Sequence, residues 1–388
     1  MKHKILILSA SAGSGHVRCG QAMEKAFAGN PEVIAVKHCD ALDFTNKLFR
    51  DFYSKLYAQL VEKAPDFLGW WYKQTDEPWK TDKARLMLDR LNTRPLVNFI
   101  RDFNPDICLC THFMPAGIIS HLIGKGALQT NLSIIITDYD FHAMWLARHF
   151  HRYFVARDEV QAHLAALGIP TERISVTGIP IDPAFAAKPP SKPLRREENI
   201  PQDIPVALLN VSGIQEEDIS MMIHAVAQAD TPVHAIVLCG KNPDTRDWIQ
   251  SLAGQTPQPK RFTLLGYTSD MHKWMGLSDL YIGKPGGLAS AEALAMGLPM
   301  MIVSPIPGQE ERNSDFLLEN GAAIKCASTV IFRFRLEKLL NSPELLDRMK
   351  KRASALGSPH AAAHVAGILL NDGNNPHHPR VSLTPPPQ

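Results

Sequence analysis

The sequence has no apolar run approaching the ~20 residues that a bilayer-spanning helix needs, which excludes an integral protein built from such helices. Its opening, Met1-Lys-His-Lys followed by Ile5-Leu-Ile-Leu8, imitates a signal peptide. The apolar stretch falls short of the ~7–15 residues required and reads instead as a first β-strand. The six cysteines form no CxxC pair and no zinc-ligand spacing, which argues against a disulfide framework and fits a reducing cytoplasm. Neither sign of charge dominates: 41 Lys plus Arg against 39 Asp plus Glu leave +2. Without a broad basic field or a recognisable motif, no nucleic-acid partner is expected.

Hydrophobic residues make up 45% of the 388 positions, enough for cores in two or three domains. Short apolar runs at 4–9, 33–37, 106–111, 133–137 and 152–156 alternate with helical patterns and read as buried parallel strands. A Pro- and charge-rich stretch, Ala186-Ala-Lys-Pro-Pro-Ser-Lys-Pro, suits neither a helix nor a central strand and reads as a linker over 186–204. A second series follows, with strands near 205–211, 233–239, 261–265, 279–282, 299–303 and 322–326. The expected architecture is α/β: two Rossmann-like, doubly wound domains, 1–185 and 205–370, facing across a cleft. Residues 371–388, rich in Asn, His and Pro, read as a disordered tail.

Two glycine loops carry the chemistry. The first strand runs through Gly13-Ser-Gly15-His16 into a helix, a turn that offers free backbone N–H groups to an anion. A dinucleotide fingerprint would need glycine at position 18, which is Arg18. His16 reads either as a neutral proton acceptor, since a helix N-terminus disfavours its charged form, or as a residue packed beneath the loop. The second loop, Gly283-Lys-Pro-Gly286-Gly287, turns tightly into a helix and forms a phosphate cradle, with Glu292 placed to accept both hydroxyls of a ribose. Lys284 and Ser290 are weaker candidates beside it, as a phosphate partner or an ordinary surface lysine and as a first-turn helix residue. After the next strand, Pro305-Ile-Pro-Gly-Gln309-Glu310 sits where polar side chains of an α/β fold meet ligand, which suits Gln309 and Glu310 to a polyhydroxylated one.

Aromatic residues concentrate between 44 and 79, ten of the chain's 29. Phe44, Leu48, Phe52, Leu56 and Leu60 recur every four residues and suggest a helix stripe packed on the core. The segment Phe67-Leu-Gly-Trp70-Trp71-Tyr72 reads as a turn-like stretch whose rings cannot all face one core, and it is the candidate membrane contact. Nearby Lys63, Lys73, Lys80 and Lys83 are largely offset by Asp66, Asp76, Glu77 and Asp82. His142 and Trp145 follow a strand and read either as a buried pair or as acceptor-pocket lining, and Asp138 orients either a loop or His16.

Taken together, Ser-Ala-Gly-Ser-Gly-His16, Thr137-Asp-x-x-x-His142-x-x-Trp145, Lys284-Pro-Gly-Gly-x-x-x-x-Glu292 and Pro307-Gly-Gln-Glu310-x-x-Asn313 resemble the monogalactosyldiacylglycerol synthase and processive diacylglycerol glucosyltransferase family, within glycosyltransferase family 28. The likeness runs to about residue 365. It implies a GT-B fold, a UDP-glucose or UDP-galactose donor held by the C-terminal domain, and diacylglycerol or a related lipid entering along a membrane-associating N-terminal domain. His16 would be the general base, with Gly13 and Gly15 beside the reaction centre. Gly286 and Gly287 would receive the pyrophosphate, Glu292 the ribose, and Gln309 and Glu310 the donor sugar. Relatives often carry Thr or Ser where this chain has Ala289, so a phosphate-binding hydroxyl is missing or moved to Ser290. No obligatory metal is expected. The implied location is cytoplasmic, on the inner face of the cell membrane. Rival readings are a UDP-N-acetylglucosamine 2-epimerase of the same fold, N-acetylglucosaminyl transfer to a lipid-linked precursor, and a non-enzymatic lipid-binding module.

Overall fold

The computed structural model describes residues 2–11, 13–45, 65–78, 94–373 and 381–383. Leu48, Phe49, Phe52, Tyr53, Leu56, Tyr57, Leu60, Lys63, Trp79, Lys80, Asp82 and Lys83 lie outside the described residues, so the expected stripe is represented by Phe44 alone. By contact the chain divides into two units. The first comprises 1–183, 307–309 and 358–388, and the second 184–306 and 310–357.

The first unit is built on a six-stranded parallel sheet in the order β2-β1-β3-β4-β6-β7. The strands are β1 (His3–Ser9), β2 (Val33–Asp40), β3 (Ile107–Cys110), β4 (Asn131–Ile135), β6 (Arg152–Val155) and β7 (Ile174–Val176). Ile5 to Leu8 on β1 are fully buried because helices cover both faces, which is why a continuous apolar run rather than an alternating one marks the strand. The chain steps from β1 outward to β2, then returns to the other side of β1 as β3. That reversal makes the β1/β3 junction a topological switch point, where loops diverge and leave a crevice. The short strand β7 has no counterpart in the sequence reading.

In the second unit β8 (Val206–Asn210), β9 (His234–Leu238), β10 (Phe262–Leu265), β11 (Leu280–Gly283), β12 (Met300–Ile302) and β13 (Ala323–Lys325) form another all-parallel sheet. Its order, β10-β9-β8-β11-β12-β13, is the Rossmann order, and its switch point lies between β8 and β11.

The ends of these units depart from the expected boundaries. The helix Ala361–Gly373 packs on the helix Ser14–Phe27 and so joins the first unit instead of closing the second. It is pinned by Asp372, whose carboxylate accepts from Arg152 Nε at 2.7 Å and His151 Nε2 at 3.0 Å. Within the expected tail, β14 (Val381–Ser382) pairs antiparallel with β5 (His149–Phe150), so a two-residue ladder forms where composition suggests no structure. The expected linker contains the helix Ser191–Glu197, tied down by Arg195, which bonds Leu277 O at 2.8 Å and Asp279 at 2.6 Å. The aromatic segment is not turn-like: Pro65–Gln74 is a helix. Proline at its first position sacrifices no intrahelical bond, and tertiary contacts override the glycine within it. No helix among the described residues is long and apolar enough to cross a membrane.

Candidate active site

In the first unit the helix that follows β1 begins at Ser14, and Gly13 before it adopts φ 136°, a conformation closed to side chains with a Cβ. This turn delivers His16 to the switch point. The ring of His16 is held by Nδ1, which lies 2.8 Å from the carbonyl of Thr111 at the end of β3 and 2.9 Å from Thr137 Oγ1 beyond β4. The Thr111 hydroxyl donates in return to His16 O at 2.9 Å. A carbonyl can only accept, so Nδ1 carries the proton and Nε2 carries the lone pair. Withdrawal of the ring from water lowers its pKa below 6.5, only partly opposed by the charge of Asp138 and the bond to Thr111. His16 is therefore a neutral base with its accepting nitrogen defined.

Two aromatic walls complete this centre. Trp145 is buried with its ring 6.2 Å from His16, and His112 meets His16 edge-on at 4.7 Å. His112 caps the helix Phe113–Gly124 by accepting from Met114 N at 3.1 Å, and burial followed by the neighbouring His16 holds it well below the usual histidine range. Thr111 and His112 went unnoticed in the sequence. Their signal is positional, since both stand directly beyond a strand that the topology places beside β1.

His142 has a different occupation from pocket lining. Its Nε2 donates to Tyr72 O at 2.9 Å, its Nδ1 accepts from Met144 N at 3.1 Å, and the Tyr72 ring stacks 4.1 Å away. Asp76 accepts from Ala143 N at 2.9 Å, so the loop after β4 clamps the aromatic helix. Tyr72 is thereby turned inward, against the loop at Gly308. Trp70 remains 56% exposed, and Phe67 and Trp71 lie on the same helix. Gln309, grouped with the first unit, donates through Nε2 to Asp138 at 2.6 Å. Asp138 is thus the charge that faces both His16 and this amide.

In the second unit β11 ends at Gly283 and the helix Gly287–Ala295 starts after Gly286, leaving its first N–H groups free of intrahelical partners. Gly286 has φ −62°, which any residue can adopt, so the expected need for glycine in a tight turn does not hold there. Its value is space: a Cβ would approach only Glu310 Oε1, at 3.8 Å. Glu310 Oε2 accepts from Ile306 N at 2.7 Å and shapes the loop after β12. Ser290 is fully buried with an unpartnered hydroxyl, and Glu292 is 2% exposed on the second turn of the same helix. Lys284 is lowered by burial, against the opposing charges of Glu310 and Asp218. Its Nζ comes within 3.7 Å of the space beside Gly213 in the loop after β8. That loop, together with Tyr267 beyond β10, 62% exposed with Lys241 4.7 Å from its ring, extends the rim of the same sheet edge. Sequence reading missed both because neither contains a motif.

The chain matches the family described as monogalactosyldiacylglycerol (MGDG) synthase over residues 16–181 and that described as glycosyl transferases group 1 over 191–355. It is 27% identical over 378 residues to a processive diacylglycerol beta-glucosyltransferase of Staphylococcus saprophyticus, covering 97% of this chain and 94% of that protein. Among solved structures, an S. aureus MnaA–UDP co-structure has TM-score 0.62 at 14% identity, over 99% of this chain and 100% of the other. MurG of Acinetobacter baumannii has TM-score 0.59 at 16% identity, over 96% and 100%. These structural likenesses establish the two-domain fold, and the sequence matches select a branch within it. The chain thus carries a monogalactosyldiacylglycerol synthase domain followed by a glycosyl transferases group 1 domain on a GT-B fold, and over nearly its full length it is similar to processive diacylglycerol beta-glucosyltransferases.

Proposed function

We propose that this protein is an inverting hexosyltransferase that moves glucose from UDP-glucose, or galactose from UDP-galactose, onto diacylglycerol or a related lipid at the inner face of the cell membrane. The observation that carries the reading is the fixed tautomer of His16: Nδ1 is committed to Thr111, which leaves Nε2 to take a proton from an alcohol. The acceptor oxygen attacks C1 of the sugar as Nε2 removes its hydrogen. The bond from C1 to the β-phosphate oxygen breaks on the opposite face, and an α-linked donor becomes a β-linked product. The departing diphosphate is met by the free N–H groups at the start of Gly287–Ala295, whose dipole stabilises the added charge without an obligatory metal.

Glu292 is assigned to the ribose, Glu310 to the donor sugar, and Gln309 to the sugar by way of its link with Asp138. Ser290 is set aside as a phosphate contact because its hydroxyl lies in the interior. Trp70 supplies the membrane contact, an amphipathic ring exposed on a helix that His142 and Asp76 hold in place.

The test is to incubate purified protein with diacylglycerol-bearing vesicles and radiolabelled UDP-glucose, UDP-galactose or UDP-N-acetylglucosamine, with and without EDTA. Hexose label in the lipid fraction, insensitive to EDTA and lost in His16→Ala, is expected. Label confined to the aqueous phase, with UDP-N-acetylglucosamine epimerised, would overturn the assignment in favour of the epimerase reading.

A further inference from the structure

The turn Thr329–Ile331 and the helix Phe332–Leu340 that follows β13 carry two apolar faces. Phe332, Leu336 and Leu339 are buried in the core of the second unit. On the outside, Val330 is 78%, Ile331 40% and Phe334 62% exposed. A surface helix ordinarily turns polar residues outward, so three large apolar side chains within five positions mark a contact surface. The charge beside them is net positive, with Arg333, Arg335 and Lys338 against Glu337 and Asp230. Arg333 is neutralised by Glu337 at 3.0 Å and Asp230 at 2.9 Å, but Arg335 and Lys338 form no ion pair among the described residues. The Lys338 ammonium stands 5.9 Å from the centre of the Phe334 ring.

The position of the surface matters as much as its composition. All six strands of this sheet are parallel, so the loops leaving β11, β12 and β13 emerge from one edge. Asp218 fastens them: Ser304, beyond β12, donates to its Oδ2 at 3.0 Å, and Thr329, beside Val330, donates to its Oδ1 at 2.7 Å. The exposed face therefore stands on the same edge as the Gly286 cradle.

We propose that Val330, Ile331 and Phe334, with Lys338, form a membrane-docking surface on the second unit that takes an anionic lipid bilayer. Unbalanced positive charge beside exposed apolar side chains is the pattern of a helix lying in the headgroup region of such a bilayer. The inference rests on the reading of a lipid acceptor, since an enzyme whose product stays in the bilayer gains from holding the donor edge there.

The experiment is vesicle flotation of the full chain with phosphatidylcholine alone and with phosphatidylcholine containing phosphatidylglycerol, comparing wild type with Val330→Ser/Phe334→Ser and Lys338→Glu. Wild type should float with the anionic vesicles, and the double variant should partition about tenfold less, given the apolar area removed. Lys338→Glu should lose recovery on anionic vesicles only. Unchanged melting temperature and unchanged transfer to diacylglycerol in detergent micelles show that the variants keep the fold and the site. Equal flotation of wild type and both variants would overturn the surface. So would light scattering that shows a wild-type dimer dissolved by Val330→Ser/Phe334→Ser while flotation is unaltered, because the face would then bind a second copy. Absence of micellar transfer by the wild type would instead defeat the proposed reaction, and is read separately.

Discussion

Replacing Asp372 by Asn should loosen the last helix from the first unit by an amount the structure allows to be calculated. Burial alone would raise the Asp372 carboxyl, but hydrogen bonds from His151 and Arg152 more than reverse this and hold it at about 2, against an ordinary 3.8. The carboxylate is 12% exposed, and His151 and Arg152 are 2% and 10% exposed, so solvent screens little of the interaction. At about 1.36 kcal/mol per pH unit, a carboxyl so displaced is worth about 2 kcal/mol at neutral pH. Because its pKa is depressed in the folded state, this stability is complete above about pH 4 and drains away as the pH falls towards 2. Amide hydrogen exchange across 361–373 reads the effect locally, without requiring the two units to unfold together. In Asp372→Asn these amides should open roughly thirtyfold more often at pH 7, the equivalent of about 2 kcal/mol. Stability measured by urea titration should differ between the two proteins at pH 7, and the difference should shrink from about pH 4 downward and close only below about pH 2. Wild-type exchange rates in the variant, or a deficit as large at pH 2 as at pH 7, would refute the argument.

Three further outcomes are expected. The kcat/KM of the wild type should stay level from neutral pH to below 6.5 before declining, since protonation of His16 is delayed by burial; Asp138→Asn should push the decline lower still, and a pH–rate profile breaking above 6.5 would contradict it. Gly286→Ala should fold normally, because its φ is ordinary, yet bind UDP at least about tenfold more weakly by calorimetry as the new methyl occupies the approach to the helix terminus. His142→Ala should cost about 1–3 kcal/mol through the unmet Tyr72 carbonyl and Met144 amide, and should speed limited proteolysis between 65 and 78 without altering UDP affinity.

The strands of both sheets were legible because they are buried on both faces: runs such as Ile5-Leu-Ile-Leu8 and Val233-His-Ala-Ile-Val-Leu238 announce themselves without any periodic pattern. β7 escaped because Ile174-Ser-Val176 is short and lies at the sheet margin, with Val176 44% exposed. The two glycine loops were visible as local motifs. Thr111 and His112 were not, because their significance depends on β3 lying beside β1, a pairing fixed by the whole sheet rather than by neighbouring residues. The helix Pro65–Gln74 was obscured for a related reason: its stabilising partners, His142 and Ala143, are some 70 positions away in the chain. The return of the C-terminal helix left no local trace, since its anchor is a single carboxylate whose partners sit more than 200 residues upstream.

That return dictates the timetable of biosynthesis. A nascent chain emerging from the ribosome can lay down the first sheet early, but Ser14–Phe27 keeps an uncovered flank until Ala361–Gly373, more than 330 residues later, has been made. Cutting the gene at the apparent border near 185 would yield an amino-terminal fragment deprived of its closing piece, prone to aggregate, while co-expression of a peptide spanning 358–388 should rescue it.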